Sequence, residues 1–223
     1  QANGGAGEPM GKDETVPIAV TIPKGKHALS GILTIPDGAR SLALLVDAEG
    51  GAAEGRNLRL AGALRRSGIG TCVLGLLTPD EDRIYARRYD VSLLTERALE
   101  TLERLRGLPG ADLPLGCVGG PSGSAAVLCA AALRPDHVRT VVCVGGRPDL
   151  AREALPRVRA PTLLVVGAED RIVLDLNRTA LTRLGSNRKD LALVPGASHG
   201  LTEAGALDEV GRVAAEWLTR YSR

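Results

Sequence analysis

A chain of 223 residues, 44% apolar and 24% charged, can enclose one large core and falls within the usual size of one α/β domain. Its 28 basic and 26 acidic residues leave a formal charge of +2, too weak a field to gather nucleic acid or an anionic membrane surface. The longest apolar stretch, residues 125–133, is far shorter than the roughly 20 residues a membrane-spanning helix needs, so no membrane partner is expected either.

Residues 1–12 read as a flexible linker or a remnant of processing or expression, and residues 13–223 as one domain. Two β-rich runs, 15–22 and 29–35, flank Pro23-Lys24-Gly25-Lys26 and predict an antiparallel hairpin. Short apolar runs of the buried-strand type follow at 42–46, 71–76, 138–144, 162–166 and 191–194, with a weaker one at 114–118. Between them the spacing turns helical. In residues 91–106, Leu94, Ala98, Leu102 and Leu105 share a face opposite Glu96, Glu100 and Glu103; Val210, Val213, Ala214, Trp217 and Tyr221 line one face of the last segment. This alternation predicts an α/β fold with a mostly parallel central sheet and helices on both faces.

Cys72, Cys117, Cys129 and Cys143 all stand in apolar surroundings and read as reduced core residues, which favours a cytoplasmic protein. The cysteines form no C-x-x-C pair and the three histidines are scattered, so no metal site is expected. Neither Gly11-Lys12 nor Gly25-Lys26 is followed by Ser or Thr, and no G-x-G-x-x-G follows a strand; no cofactor is implied.

In parallel sheets functional groups collect in the loops at the carboxyl ends of strands. Three such loops belong together. After the run ending at Val118 comes Gly119-Gly120-Pro121-Ser122-Gly123-Ser124, leading into the apolar helix 125–133: a strand, a tight turn centred on a serine, and a helix, as a nucleophile elbow requires. Asp170 lies just beyond the run 162–166, where a carboxylate can orient an imidazole. His199 follows the run 191–194 in a loop before the final helix. A serine hydroxyl is a poor nucleophile until a base takes its proton. His199 is the candidate base, Asp170 the group that sets its tautomer, and Ser122 the nucleophile. A developing oxyanion needs two donors, for which the candidates are the backbone N–H of Gly123 and one from Ala48 or Glu49.

The chain order Ser, Asp, His is that of the α/β hydrolases. The segments GGPSGS (119–124), GGRPDL (145–150), APTLLVVGAED (160–170) and VPGASH (194–199) resemble those of the dienelactone-hydrolase-like family, over roughly residue 32 to the end. The resemblance implies the α/β-hydrolase fold and a small-molecule ester or lactone substrate. Dienelactone hydrolases usually carry a cysteine as nucleophile; Ser122 in that place shifts the expectation toward a serine esterase or lactonase cleaving through an acyl-Ser122 intermediate.

Two departures stand out. Ser124 replaces the usual glycine two places after the nucleophile, and Asp47-Ala48-Glu49-Gly50-Gly51 replaces a His-Gly loop. Carboxylates pointing inward would oppose a developing negative charge. Glu49 can instead face solvent while its N–H serves the oxyanion, or it echoes the glutamate that approaches the nucleophile in dienelactone hydrolases; both readings stand. The acidic loop motivates a second reading of the chain as a hydrolase fold whose catalysis has decayed, kept as a binding or regulatory module.

His27 and His137 lie away from carboxyl-end loops and read as structural. Arg147 faces either a substrate carboxylate or Asp149, the latter being favoured. The stretch RIYARRY (83–89) reads as a pocket rim or solvated loop rather than a nucleic-acid surface.

Overall fold

The computed structural model describes residues 17–48, 55–108, 110 and 112–222. The linker expected over 1–12, the first residues of the run 15–22, and Glu49 to Gly51 lie outside them.

The chain opens with the antiparallel hairpin β1 (Ile18–Lys24) and β2 (His27–Thr34). The ladder extends further than the turn residues suggest: Pro23 pairs with Ala28 and Lys24 with His27. Proline is tolerated there because β1 is the edge of the sheet, where an absent N–H breaks no ladder bond. Then follow β3 (Ser41–Asp47), α1 (Arg56–Arg66), β4 (Ile69–Gly75), the one-turn α2 (Pro79–Asp82), a 3-10 turn (Tyr85–Tyr89) and α3 (Val91–Leu105). The second half runs β5 (Leu115–Gly119), α4 (Ser124–Leu133), β6 (Thr140–Val144), 3-10 turns over Pro148–Arg157, β7 (Thr162–Gly167), α5 (Arg171–Arg183), β8 (Lys189–Val194) and α6 (Ala206–Tyr221).

The eight strands form one sheet in the order β1-β2-β4-β3-β5-β6-β7-β8. The hairpin joins antiparallel through β2 and β4, and every pairing from β4 to β8 is parallel. Strands β3 to β7 are buried along their whole length because helices cover both faces of the sheet, which is why they read as continuous apolar runs rather than alternating ones.

Two apolar layers flank the sheet. On one face, Leu60 and Leu64 of α1 and Val210 and Ala214 of α6 pack on Leu45, Val73 and Val142. On the other, Leu94 and Leu102 of α3 and Ala126 and Leu128 of α4 pack with Leu44, Val46 and Val141. Each fully buried leucine in these layers contributes about 2 kcal/mol of transfer free energy. Helix α4 is apolar on every side, as its sequence SAAVLCAAAL suggests, because it lies between the sheet, α3 and the 148–157 turns. Cys72, Cys117 and Cys143 are fully buried free thiols, and burial pushes each up to about 12, so they stay protonated and inert. No helix among the described residues is long and apolar enough to cross a membrane.

Candidate active site

Strand β5 lies in the middle of the sheet, and the chain turns sharply at its carboxyl end to enter α4. Sterics dictate the residues of this turn. A Cβ on Gly123 would stand 2.4 Å from the Val46 carbonyl oxygen of the neighbouring strand, a backbone atom with no freedom to yield. Ser124, larger than the expected glycine, fits because it is wholly buried and its hydroxyl donates to the carbonyls of Gly120 at 2.8 Å and Gly119 at 3.1 Å. It thus ties the first residue of α4 to the end of β5.

Ser122 sits at the apex, and its principal partner is Asp47, the last residue of β3. Asp47 Oδ1 accepts from the Ser122 backbone N–H at 3.0 Å and from the Ser122 hydroxyl. The Ala48 N–H is shared between Asp47 Oδ1 at 3.0 Å and Ser122 Oγ at 3.1 Å. Arg56, opening α1, stands 3.5 Å from Asp47 Oδ2. Among the described residues, the carboxylate that approaches Ser122 is Asp47. Glu49, for which an approach to the nucleophile and a solvent-facing position were both expected, lies outside the described residues. Asp47 points inward, so the outward-facing alternative does not apply to it.

The other half of the constellation is built at the ends of β7 and β8. Backbone bonds from Ala168 to Val194 and from Glu169 to Ala197 hold the two following loops together. Asp170 then divides its carboxylate: Oδ1 caps α5 by accepting from the Val173 N–H at 3.3 Å, and Oδ2 lies 2.7 Å from His199 Nδ1. The helix-capping contact and the contact with the imidazole thus coexist on one carboxylate. His199 is 62% exposed, whereas the Asp170 side chain is 11% exposed. Two residues on, Leu201 is buried with φ of 51°, a left-handed conformation that costs a residue bearing a Cβ and marks a constrained loop.

Ser122 and His199 open on one cavity of about 450 Å³. The Ser122 hydroxyl is directed to Asp47, and no hydrogen bond joins it to His199 in this structure. Arg147 also lines the cavity and is held in a two-pronged pair by Asp149, both bonds 2.8 Å, which raises its pKa further. Tyr85, Arg88 and Tyr89 of the RIYARRY stretch form part of the same wall. The Tyr85 hydroxyl, 3.1 Å away, holds the Tyr89 phenol above its ordinary pKa. Arg56 and Arg59 complete the basic lining, and nothing in the local pattern of α1 singled them out. His27 pairs with Asp80, and His137 contacts Arg106; neither lines this cavity. The described residues include no cluster of three or more metal-ligating side chains.

No family model matches the chain. It is 39% identical to a dienelactone hydrolase from Anabaena variabilis, superposing with a TM-score of 0.86 over 93% of this chain and 99% of that one. Est1E from Butyrivibrio proteoclasticus shares the fold at 14% identity, with a TM-score of 0.75 over 91% of this chain and 98% of that one. Among curated proteins, the chain is 37% identical over 215 residues to a Mycobacterium tuberculosis protein provisionally named a phosphoribosyl transferase, found in two strains. That match takes in 96% of this chain and 47% of its relative, so the chain spans about half the length of the curated relatives it matches.

Proposed function

Because the chain belongs to the dienelactone hydrolase family of α/β hydrolases, we propose that it cleaves a small carboxylic ester or lactone through an acyl-Ser122 intermediate, with His199 as base and Asp170 as the group that orients it. Membership supports ester hydrolysis in general. The finer assignment rests on one observation: the 2.7 Å Asp170–His199 pair opens on the same cavity as a serine held at a strand-to-helix apex.

The chemistry follows from these groups. The Ser122 hydroxyl leaves Asp47 and turns toward His199, a rotation about one side-chain bond. His199 Nε2 takes its proton while Oγ bonds to the ester carbonyl carbon, and Asp170 accepts from Nδ1–H and balances the imidazolium. Negative charge gathers on the former carbonyl oxygen, where the N–H groups of Ala48 and Gly123 serve as donors once Ser122 Oγ no longer occupies the first of them. Collapse breaks the bond to the leaving alcohol, which receives the proton from His199. Water, activated by the same imidazole, then releases the acid and restores Ser122.

A second reading draws on the grip of Asp47. A carboxylate that holds the serine hydroxyl and shares the Ala48 N–H also describes a hydrolase fold retired from catalysis and retained as a binding module. Phosphoribosyl transfer is a name carried by relatives of about twice this length, and it does not locate that activity in the half matched here. Hydrolysis of p-nitrophenyl acetate and butyrate by the full chain beside its Ser122→Ala variant separates the readings. Turnover that vanishes in the variant, with a fluorophosphonate adduct on Ser122 by mass spectrometry, is the expected result. Equal background rates with no adduct would favour the binding module.

A further inference from the structure

The described lining of the cavity at Ser122 is basic. Arg56, Arg59, Arg88 and Arg147 line it, and no Asp or Glu belongs to its described lining. Since the whole chain carries only +2, this is a local concentration. It is also assembled from three separate places: Arg56 and Arg59 from the first turn of α1, Arg88 from the 3-10 turn, and Arg147 from the loop after β6. Gathering like charges costs free energy, and carboxylates behind the wall offset part of it. Asp149 takes Arg147, Asp82 bonds Arg88 Nε at 2.8 Å, and Asp47 stands 3.5 Å from Arg56. Arg59 makes no ion pair with a described residue, although it lies one turn along the same face as Arg56. Pro121, Leu201 and Leu207 add an apolar portion to the same lining, which also holds Ser122 and His199.

Such a lining fits a substrate with a small apolar part and a strongly anionic one. A single carboxylate is satisfied by one guanidinium fork. A phosphate monoester brings about two negative charges and three acceptor oxygens, which call for more than one fork. The first turn of α1 adds to the preference: it carries no acidic side chain, and its N-cap, Gly55, supplies no side-chain oxygen to the amides there. We propose that the ester or lactone cleaved at Ser122 bears a phosphate monoester group, held by Arg56 and Arg59 with Arg147 on the same cavity wall. This deepens the hydrolase reading above and rests on it for the bond that is cleaved, though not for the binding of the anion.

The test is calorimetric titration of the full chain carrying Ser122→Ala with inorganic phosphate and, separately, with acetate, at matched ionic strength. Phosphate should saturate at low-millimolar concentrations or below. Adding Arg59→Gln should weaken it about tenfold, the loss of one charge-assisted bond. Arg178→Gln, an equal loss of charge at an exposed site on α5, should leave phosphate binding unchanged. In the protein with Ser122 intact, phosphate should compete with p-nitrophenyl acetate. Acetate binding as tightly as phosphate would overturn the proposal in favour of a carboxylate cavity. Equal weakening by the Arg59 and Arg178 changes, or no saturation into the tens of millimolar, would overturn it outright. Phosphate bound through Arg59 in a protein that cleaves no ester would instead sink the hydrolase reading and leave the anion site standing.

Discussion

The two halves of the site are held by different physics. Around Ser122 the geometry is enforced by exclusion: Gly123 lies against the Val46 carbonyl, and Ser124 is sealed between α4 and β5. Around His199 it is enforced by one polar contact, the 2.7 Å bond to Asp170, with most of the imidazole in solvent. The proposed nucleophile, its place fixed by packing, cannot be moved without disturbing the fold. The proposed base, fixed by one bond, can be lost with the fold intact.

Substitutions sharpen the contrast. Ser122→Ala should have the largest effect, a loss on the order of 10⁶-fold in kcat by analogy with other serine hydrolases, with only a small shift in urea midpoint, because the Ser122 and Ala48 N–H groups still satisfy Asp47 Oδ1 once the hydroxyl is gone. A midpoint that shifted as strongly as the rate would show that the hydroxyl is structural. On the other side, His199→Ala should cost a comparable share of turnover with no loss of stability. Asp170→Ala should cost about 10⁴-fold together with about 1 kcal/mol, since the same side chain caps α5. Thermal unfolding beside kinetics would distinguish the pair, and equal stability losses in both would break the comparison.

Gly123→Ala reverses the pattern. Its added methyl meets backbone at 2.4 Å, so about 2 kcal/mol or more of stability should go, read as a lowered denaturant midpoint. The thiols have the smallest effect at neutral pH. Cys72, Cys117 and Cys143 keep their protons up to about 12 in the folded chain against an ordinary value of 9.0. Between those values the unfolded chain releases protons that the native one retains. The stabilisation present below pH 9 is therefore progressively lost as pH rises toward 12. Denaturation midpoints taken across that range should fall, and these three native thiols should resist alkylation at mildly basic pH; ready labelling of any of them in the folded chain would contradict its burial.

The same contrast explains what could be read from the chain alone. Ser122, Asp170 and His199 each follow an apolar run directly, so strand patterning announced where they would gather. Strand β5 read weakly although it occupies the sheet's middle, because Gly116 interrupts it; a side chain there would strike Leu218 and Thr140. The bond between Ser122 and Asp47 joins positions 75 residues apart through the side-by-side pairing of β3 and β5, which no local pattern encodes. Arg56 and Arg59 were illegible for a related reason. On α1 they look like ordinary surface cations, and only the fold turns them toward Ser122.

Asp47 also leaves a signature across generations. A Cβ built on Gly120 would lie 2.2 Å from Asp47 Oδ2, so the two positions compete for one volume. An acid at position 47 should therefore favour glycine at 120, and a side chain entering at 120 should be accompanied by a turned carboxylate or a smaller residue at 47. Ancestry in this family should record changes at the two positions together.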